Sequence, residues 1–144
     1  MIFNSMGGHT HTIQDVTDAG SYLSSDVTTA VAFDHNTFTT LTSLNLTRGV
    51  WVLTWGLVFA ANSSGVRMGA IVTDETTSFN NSAGRRTNGE RVPACSAGET
   101  IIHGSYSTRV NTDTTIYLRG AHTAGTGTSL NVTGCLRAVK VGYY

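Results

Sequence analysis

The sequence contains little charge, and the charges that it has cancel. Nine basic and nine acidic residues give a formal net charge of zero, and charged residues make up 12% of the 144 positions. A nucleic-acid-binding face needs an excess of Lys and Arg, and an electrostatic membrane anchor needs a basic cluster. No run approaches the roughly 20 apolar residues of a membrane-spanning helix. The composition therefore argues against nucleic-acid binding and against membrane insertion.

Proline, lysine and strong helix-forming residues are also scarce. Pro93 is the single proline and Lys140 the single lysine, whereas there are 24 threonines and 16 glycines. Threonine and valine favour strands, while glycine and asparagine favour tight turns. No segment keeps apolar residues at helical spacing over three turns. The sequence therefore predicts an all-β protein.

Several short segments alternate apolar and polar residues, and turn-forming residues separate them. The alternation is clearest in residues 66–73. One further predicted strand begins at Val31 and another contains Leu44. The remaining predicted strands cover residues 50–61, 100–110, 114–122 and 129–141. Seven or eight short strands with this spacing predict a jelly-roll β-sandwich.

The first residues differ from the rest of the chain. Residues 1–25 contain few large apolar side chains and no regular alternation. We therefore assign residues 1–26 to a short extended N-terminal arm or stalk end, and residues 27–144 to the head domain. Residues 1–8 lack the basic flank and apolar core of a signal peptide.

The segment 50–61 is apolar at nearly every position, which predicts a strand buried on both faces. Side chains four residues apart share a strand face. One face carries Trp51, Trp55 and Phe59, and the other carries Val50, Val52 and Val58. Either one face fills the core while the other meets neighbouring subunits, or both faces lie in the core of a single subunit with loops covering the second.

Two parts of the sequence resemble proteins of bacterial viruses. Residues 8–13, GHTHTI, followed by Asp15-Val16-Thr17, resemble a segment of tail-fibre and receptor-binding proteins. Six further segments resemble the trimeric jelly-roll heads of phage tail proteins, which are similar to the tumour necrosis factor and complement globular-head fold. These segments are residues 49–54, 58–63, 65–67, 115–118, 127–132 and 136–139.

This resemblance implies a homotrimeric head at the tip of a virion tail fibre, assembled in the bacterial cytoplasm beside other tail proteins. Its expected function is adhesion to a host-surface glycan or protein, with three weak sites acting together. The alternative is a purely structural virion component, a connector or decoration that binds no receptor.

His9 and His11 form a His-x-His pair. Residues i and i+2 of an extended chain point to the same side, so three parallel chains would direct six imidazoles inward. Six nitrogens suit one divalent metal such as iron, nickel or zinc, and some phage fibre shafts resemble this arrangement. The alternative is a solvated arm with two ordinary histidines.

No residue pattern predicts catalysis, so we expect a protein that is not an enzyme. A Gly-x-Ser-x-Gly nucleophile turn is missing, and the acidic residues do not form the pair that a glycosidase needs. Cys95 and Cys135 form a disulfide or remain two thiols, and a reducing cytoplasm favours thiols.

The most credible binding segment is residues 80–91, NNSAGRRTNGER, which we interpret as a long polar loop. Its arginines suit phosphate or carboxylate groups of a glycan, and its asparagines suit hydroxyls. The candidate receptor-binding residues are Asn80, Asn81, Arg85, Arg86, Asn88 and Arg91. The alternative is a solvated loop, and the terminal Tyr143 and Tyr144 form a second candidate contact.

Overall fold

The computed structural model describes most of the chain, and every regular element in the described part is a strand. The described residues are 3–4, 10–11, 20–61, 66–74, 88–95, 98–123 and 129–142. None of these segments forms a helix long and apolar enough to cross a membrane.

Ten strands follow one another along the described chain. They are β1 (Phe3–Asn4), β2 (Thr10–His11), β3 (Tyr22–Asp34), β4 (Thr39–Leu46), β5 (Gly49–Ala61), β6 (Val66–Thr73), β7 (Asn88–Cys95), β8 (Gly98–Val110), β9 (Thr114–His122) and β10 (Ser129–Gly142).

Strands β3 to β10 build a sandwich of two antiparallel four-stranded sheets. Sheet I has the order β3-β10-β5-β8, and sheet II has the order β4-β9-β6-β7. The chain crosses repeatedly between the sheets, so that its first and last sandwich strands, β3 and β10, become neighbours in sheet I. This is the jelly-roll arrangement, and it confirms the fold predicted from the sequence.

The core lies between the sheets because the strands alternate in polarity. In β4, Leu41, Leu44 and Leu46 are buried, Ser43 and Asn45 are exposed, and Thr42 lies half-buried on the inner side opposite Leu118. Leu41 and Leu44 are three residues apart and not two, and this break in the alternation coincides with an irregularity in the β4–β9 register between Thr40 and Thr42. Each sheet thus supplies one apolar face, and the two faces pack together as sheet-on-sheet packing requires.

The sandwich begins earlier in the sequence than the assignment of residues 27–144 places it. β3 begins at Tyr22 and pairs with β10 along Ser24, Ser25 and Asp26. These residues belong to an edge strand whose partner is β10, and their exposure alternates along the strand although few of them are large and apolar.

The described pieces before the sandwich form a small sheet of their own. Phe3 pairs with His11 and Asn4 pairs with Thr10, and the two short strands run antiparallel. The sequence pattern predicted a single extended arm in this region.

Candidate functional site

The predicted polar loop 80–91 is partly a strand, which corrects the sequence interpretation. Asn88 and Arg91 lie in β7 and pair with Val72 and Gly69 of β6. Asn80, Asn81, Arg85 and Arg86 lie outside the described residues, as do Tyr143 and Tyr144. Asn88 and Arg91 are therefore part of the rim of sheet II.

The three aromatic residues of β5 lie in the core of the single chain. Trp51, Trp55 and Phe59 are 1%, 3% and 1% exposed, respectively. The opposite face of the same strand points away from the core, and Val52 on it is 37% exposed. The alternative in which both faces of β5 lie in the core of a single subunit therefore does not hold for Val52, whereas a face open to neighbouring subunits remains a prediction.

The outer face of sheet I gathers the exposed apolar residues. All five large apolar side chains that are exposed in the described part of the chain lie on this face: Tyr22, Val52, Ile101, Val139 and Val141. The register places Val139 directly between Tyr22 and Val52, so these three side chains form a continuous row across β3, β10 and β5. The sheet thus presents an apolar surface to solvent.

A shallow depression interrupts this surface near the middle of the sheet. It centres on Gly56, which lies between Cys135 of β10 and His103 of β8. The rest of its lining includes Thr54, Trp55, Gly104, Ser105 and Arg137. The depression exists because Gly56 places no side chain between its two neighbours.

Charged groups flank one side of the depression. Arg137 Nη2 donates to Asp26 Oδ1 at 3.3 Å, and both side chains are about half exposed. Electrostatic attraction raises the pKa of Arg137 above its ordinary value, and Cys135 contributes more to this than Asp26. The guanidinium therefore stays charged, and an exposed pair of this kind contributes little to stability.

On the outer face of sheet II, several described side chains of β6 and β9 are covered by other parts of the chain. Ile71, Thr73 and Arg119 point outward from β6 and β9, yet they are only 2%, 2% and 6% exposed. Part of the cover is Phe38, whose carbonyl accepts a hydrogen bond of 3.2 Å from Arg119 Nη2 and whose ring lies 5.9 Å from the guanidinium carbon. Sheet II therefore has no comparable apolar surface in its described part.

Two histidines meet at one end of the sandwich. His122 is fully buried, and its Nε2 donates to the Phe33 carbonyl at 2.5 Å. The ring of His35 packs edge-on at 6.3 Å, and its Nδ1 is buried with no hydrogen-bond partner among the described residues. The hydrogen bond from His122 to the Phe33 carbonyl thus links β9 of sheet II to β3 of sheet I.

Metal-binding residues do not converge in the described part of the chain. No group of three or more His, Cys, Asp or Glu side chains that could hold a metal occurs there. His11 lies in β2 opposite Phe3, and His9 lies outside the described residues. Cys135 is a free thiol on the outer face of sheet I.

The sequence interpretation missed three members of the apolar face: Tyr22, Val139 and Val141. A signal for two of them was present, because Val139 and Val141 fall out of phase with Leu136 and Ala138 in the alternation of β10. Tyr22 gave no such signal, since it precedes a run of small and polar residues.

Solved structures of virus particles share this fold. The chain matches a structure of the infectious bursal disease virus Gx strain with a TM-score of 0.62 and 17% identity, over 88% of this chain and 34% of that one. It matches the VP2 subviral particle of the same virus with a TM-score of 0.64 and 15% identity, over 87% and 34%. A third match, to T=1 particles derived from that virus, has a TM-score of 0.64 and 14% identity, over 87% and 32%.

The chain spans about a third of the length of the proteins that it matches. No protein-family model matches the sequence, and no curated protein matches it. At 14–17% identity the likeness is one of architecture. The chain therefore shares its jelly-roll fold with the VP2 protein of infectious bursal disease virus particles.

Proposed function

We propose that this chain is a structural component of a virus particle and that it works as a self-associating, non-catalytic building block. The observation that carries the proposal is the match to virus-particle structures over 87–88% of the chain. The exposed apolar face of sheet I supports it, because large exposed apolar patches mark contact surfaces.

We further propose that the assembled unit is a homotrimer in the virion. The resemblance of residues 49–54 and 58–63 to trimeric phage heads supports the number of subunits, and closed cyclic assemblies are the usual form of soluble homo-oligomers. On this proposal the chain serves as a connector or decoration that holds other tail proteins.

Light scattering coupled to size exclusion tests the self-association. We expect a single species of about 46 kDa, three times the 15.2 kDa of the chain, because burying the apolar face is favourable. A species of 15.2 kDa at every concentration would refute the proposed function.

The same measurement with a chelator tests a structural metal at His9 and His11. If three His-x-His pairs hold a divalent metal such as iron, the chelator should lower the melting temperature or the molar mass, since metal ligation contributes folding free energy. A His9→Ala/His11→Ala variant is the control and should no longer respond to chelator. An equal response of the variant would contradict the metal site.

Receptor binding is the second candidate, favoured by the resemblance of residues 8–13 to tail-fibre proteins and by the arginines of segment 80–91. We expect binding to acidic glycans on an array, because Arg forms charge-assisted hydrogen bonds with carboxylates. Arg85→Ala should weaken it by about tenfold or more. Arg48→Ala, an exposed arginine between β4 and β5, is the matched control. If no glycan on the array binds, receptor binding is refuted and the structural function is the one that stands.

A further inference from the structure

We propose that the outer face of sheet I is the surface through which copies of this chain contact one another around the three-fold axis of the proposed trimer. The inference rests on the proposed self-association and assigns it to one face: the outward side chains of β3, β10, β5 and β8. Four properties of that face support it: its apolar content, its size, its balance of charge and its shape.

The apolar content of the chain's described surface is one-sided. The five exposed large apolar residues all lie on sheet I, although the sandwich has two outer faces and four edge strands. Residues such as Ile71 that point outward from sheet II are already buried within the chain. Among the described side chains, those on the outer face of sheet I therefore gain most from being removed from water.

The face has the size that a stable contact needs. β5 and β8 pair along 13 residues, which is about 43 Å at the strand rise of about 3.3 Å per residue. Four strands at a spacing of about 4.8 Å are about 19 Å wide, so the face measures roughly 800 Å². A standard protein–protein contact buries about 800 Å² on each partner, and in a trimer each subunit shares its face between two neighbours.

The charges of the face suit contact between neighbouring copies. Its charged residues in the described strands are Asp26, Asp34, Glu99, Arg109 and Arg137, three acidic and two basic. Asp26 and Arg137 already pair with each other, and the whole chain has no net charge. The net charge of the face is therefore small, so neighbouring copies meet with little of the like-charge repulsion that opposes association of a charged surface with itself.

The face carries both protruding side chains and a depression, so one copy can fit against another. Tyr22 and Ile101, 57% and 60% exposed, project on either side of the depression at Gly56. A protruding apolar side chain of one copy can occupy the depression of the next, and residues anchored in such pockets dominate the energy of contacts.

Charge insertion on each outer face distinguishes the two surfaces. We expect Val52→Arg and Ile101→Arg to reduce the molar mass threefold, from about 46 kDa to the 15.2 kDa of one chain. Both positions are exposed in the single chain, so circular dichroism should show a folded β-protein. Ser43→Arg is the matched control: it places the same charge on the outer face of sheet II, opposite Tyr117, and should keep the larger mass.

The wild-type protein provides a second measurement that does not depend on a variant folding. Cys135 lies on the proposed contact face. Its alkylation by N-ethylmaleimide, followed by mass spectrometry of its peptide, should be slow in the assembled protein and should accelerate on dilution.

Each outcome has a defined meaning. If Val52→Arg and Ile101→Arg keep the wild-type mass, or if assembly leaves Cys135 alkylation unchanged, the assignment to sheet I is wrong while the proposed function stands. Dissociation of Ser43→Arg to the same extent would also overturn the assignment. If the wild-type protein is itself a monomer, the proposed function is refuted, and the assignment to sheet I is refuted with it.

Discussion

Gly134→Ala is expected to lower the free energy of unfolding by about 3 kcal/mol or more, the upper range for an overpacked core. Gly134 lies in β10, in the middle of sheet I, opposite Leu57 of β5. A methyl group added to it would overlap the carbonyl oxygen of Gly56 and would lie 3.0 Å from Leu41 Cδ2. The carbonyl belongs to the paired backbone, so it cannot move without breaking the β5–β10 register. At about 3 °C per kcal/mol, the melting temperature should fall by about 10 °C.

Gly69→Ala is the matched control for this prediction. Gly69 also lies inside a strand, β6, but a methyl group added there meets no atom within 4 Å. Alanine loses less backbone freedom on folding than glycine, so we expect unchanged stability or a gain of about 0.5–1 kcal/mol. Thermal and urea unfolding of both variants give the comparison. Similar stability of the two variants would show that sheet I does not pack as closely at Gly134 as described.

The parts of the fold that sequence could predict are those in which a side chain's burial depends on its own strand. β6 and β9 alternate regularly, and residues 66–73 and 114–122 were assigned to strands with the bounds that the structure shows. The jelly-roll architecture followed from the number and spacing of such segments. For the inward side chains of these strands the local pattern and the tertiary environment agree, which is the general condition for prediction from sequence, whereas the burial of the outward Ile71, Thr73 and Arg119 depends on other parts of the chain.

Strand β7 was not predicted because its own residues show no strand pattern and resemble a loop. It is an edge strand containing Pro93, and proline is tolerated in sheets at edges and bulges. The β6–β7 register indeed shifts between Val66 and Met68, opposite Pro93. Backbone pairing with β6 holds a segment whose residues resemble a loop. For the same reason, the start of β3 at Tyr22 was placed in the arm.

The apolar face of sheet I was only half predicted. The sequence identified Val52 as lying opposite Trp51 on β5, but the neighbours of Val52 come from strands distant in sequence, β3 and β10. A cross-strand row such as Tyr22, Val139 and Val52 depends on register, which sequence periodicity does not specify. The candidate contact surface is therefore a product of topology.

Trp51→Ala is expected to lower the free energy of unfolding by about 3–5 kcal/mol, the usual range for removing a large aromatic core residue. Trp51 is 1% exposed, and its Nε1 donates to the Thr47 carbonyl at 2.8 Å. The ammonium of Lys140 lies 5.7 Å from its ring centroid. Lys140 is only 3% exposed, so the ring contributes to the environment of a buried cation. The alanine variant loses packing, a hydrogen bond and this contact together.

Trp51→Phe separates these contributions. Phenylalanine keeps an aromatic face beside Lys140 but has no N–H for the Thr47 carbonyl, so we expect a smaller loss of about 1–2 kcal/mol. Urea unfolding at a concentration where the chain is monomeric, with molar mass measured in parallel, provides the test. A core residue changes the stability of the single chain, whereas a residue at a subunit contact changes the mass and leaves that stability nearly intact. Because Trp51 is buried within one chain, we expect the first result for both Trp51 variants and the second for Val52→Arg; the reverse pattern would place the aromatic face of β5 at the subunit contact.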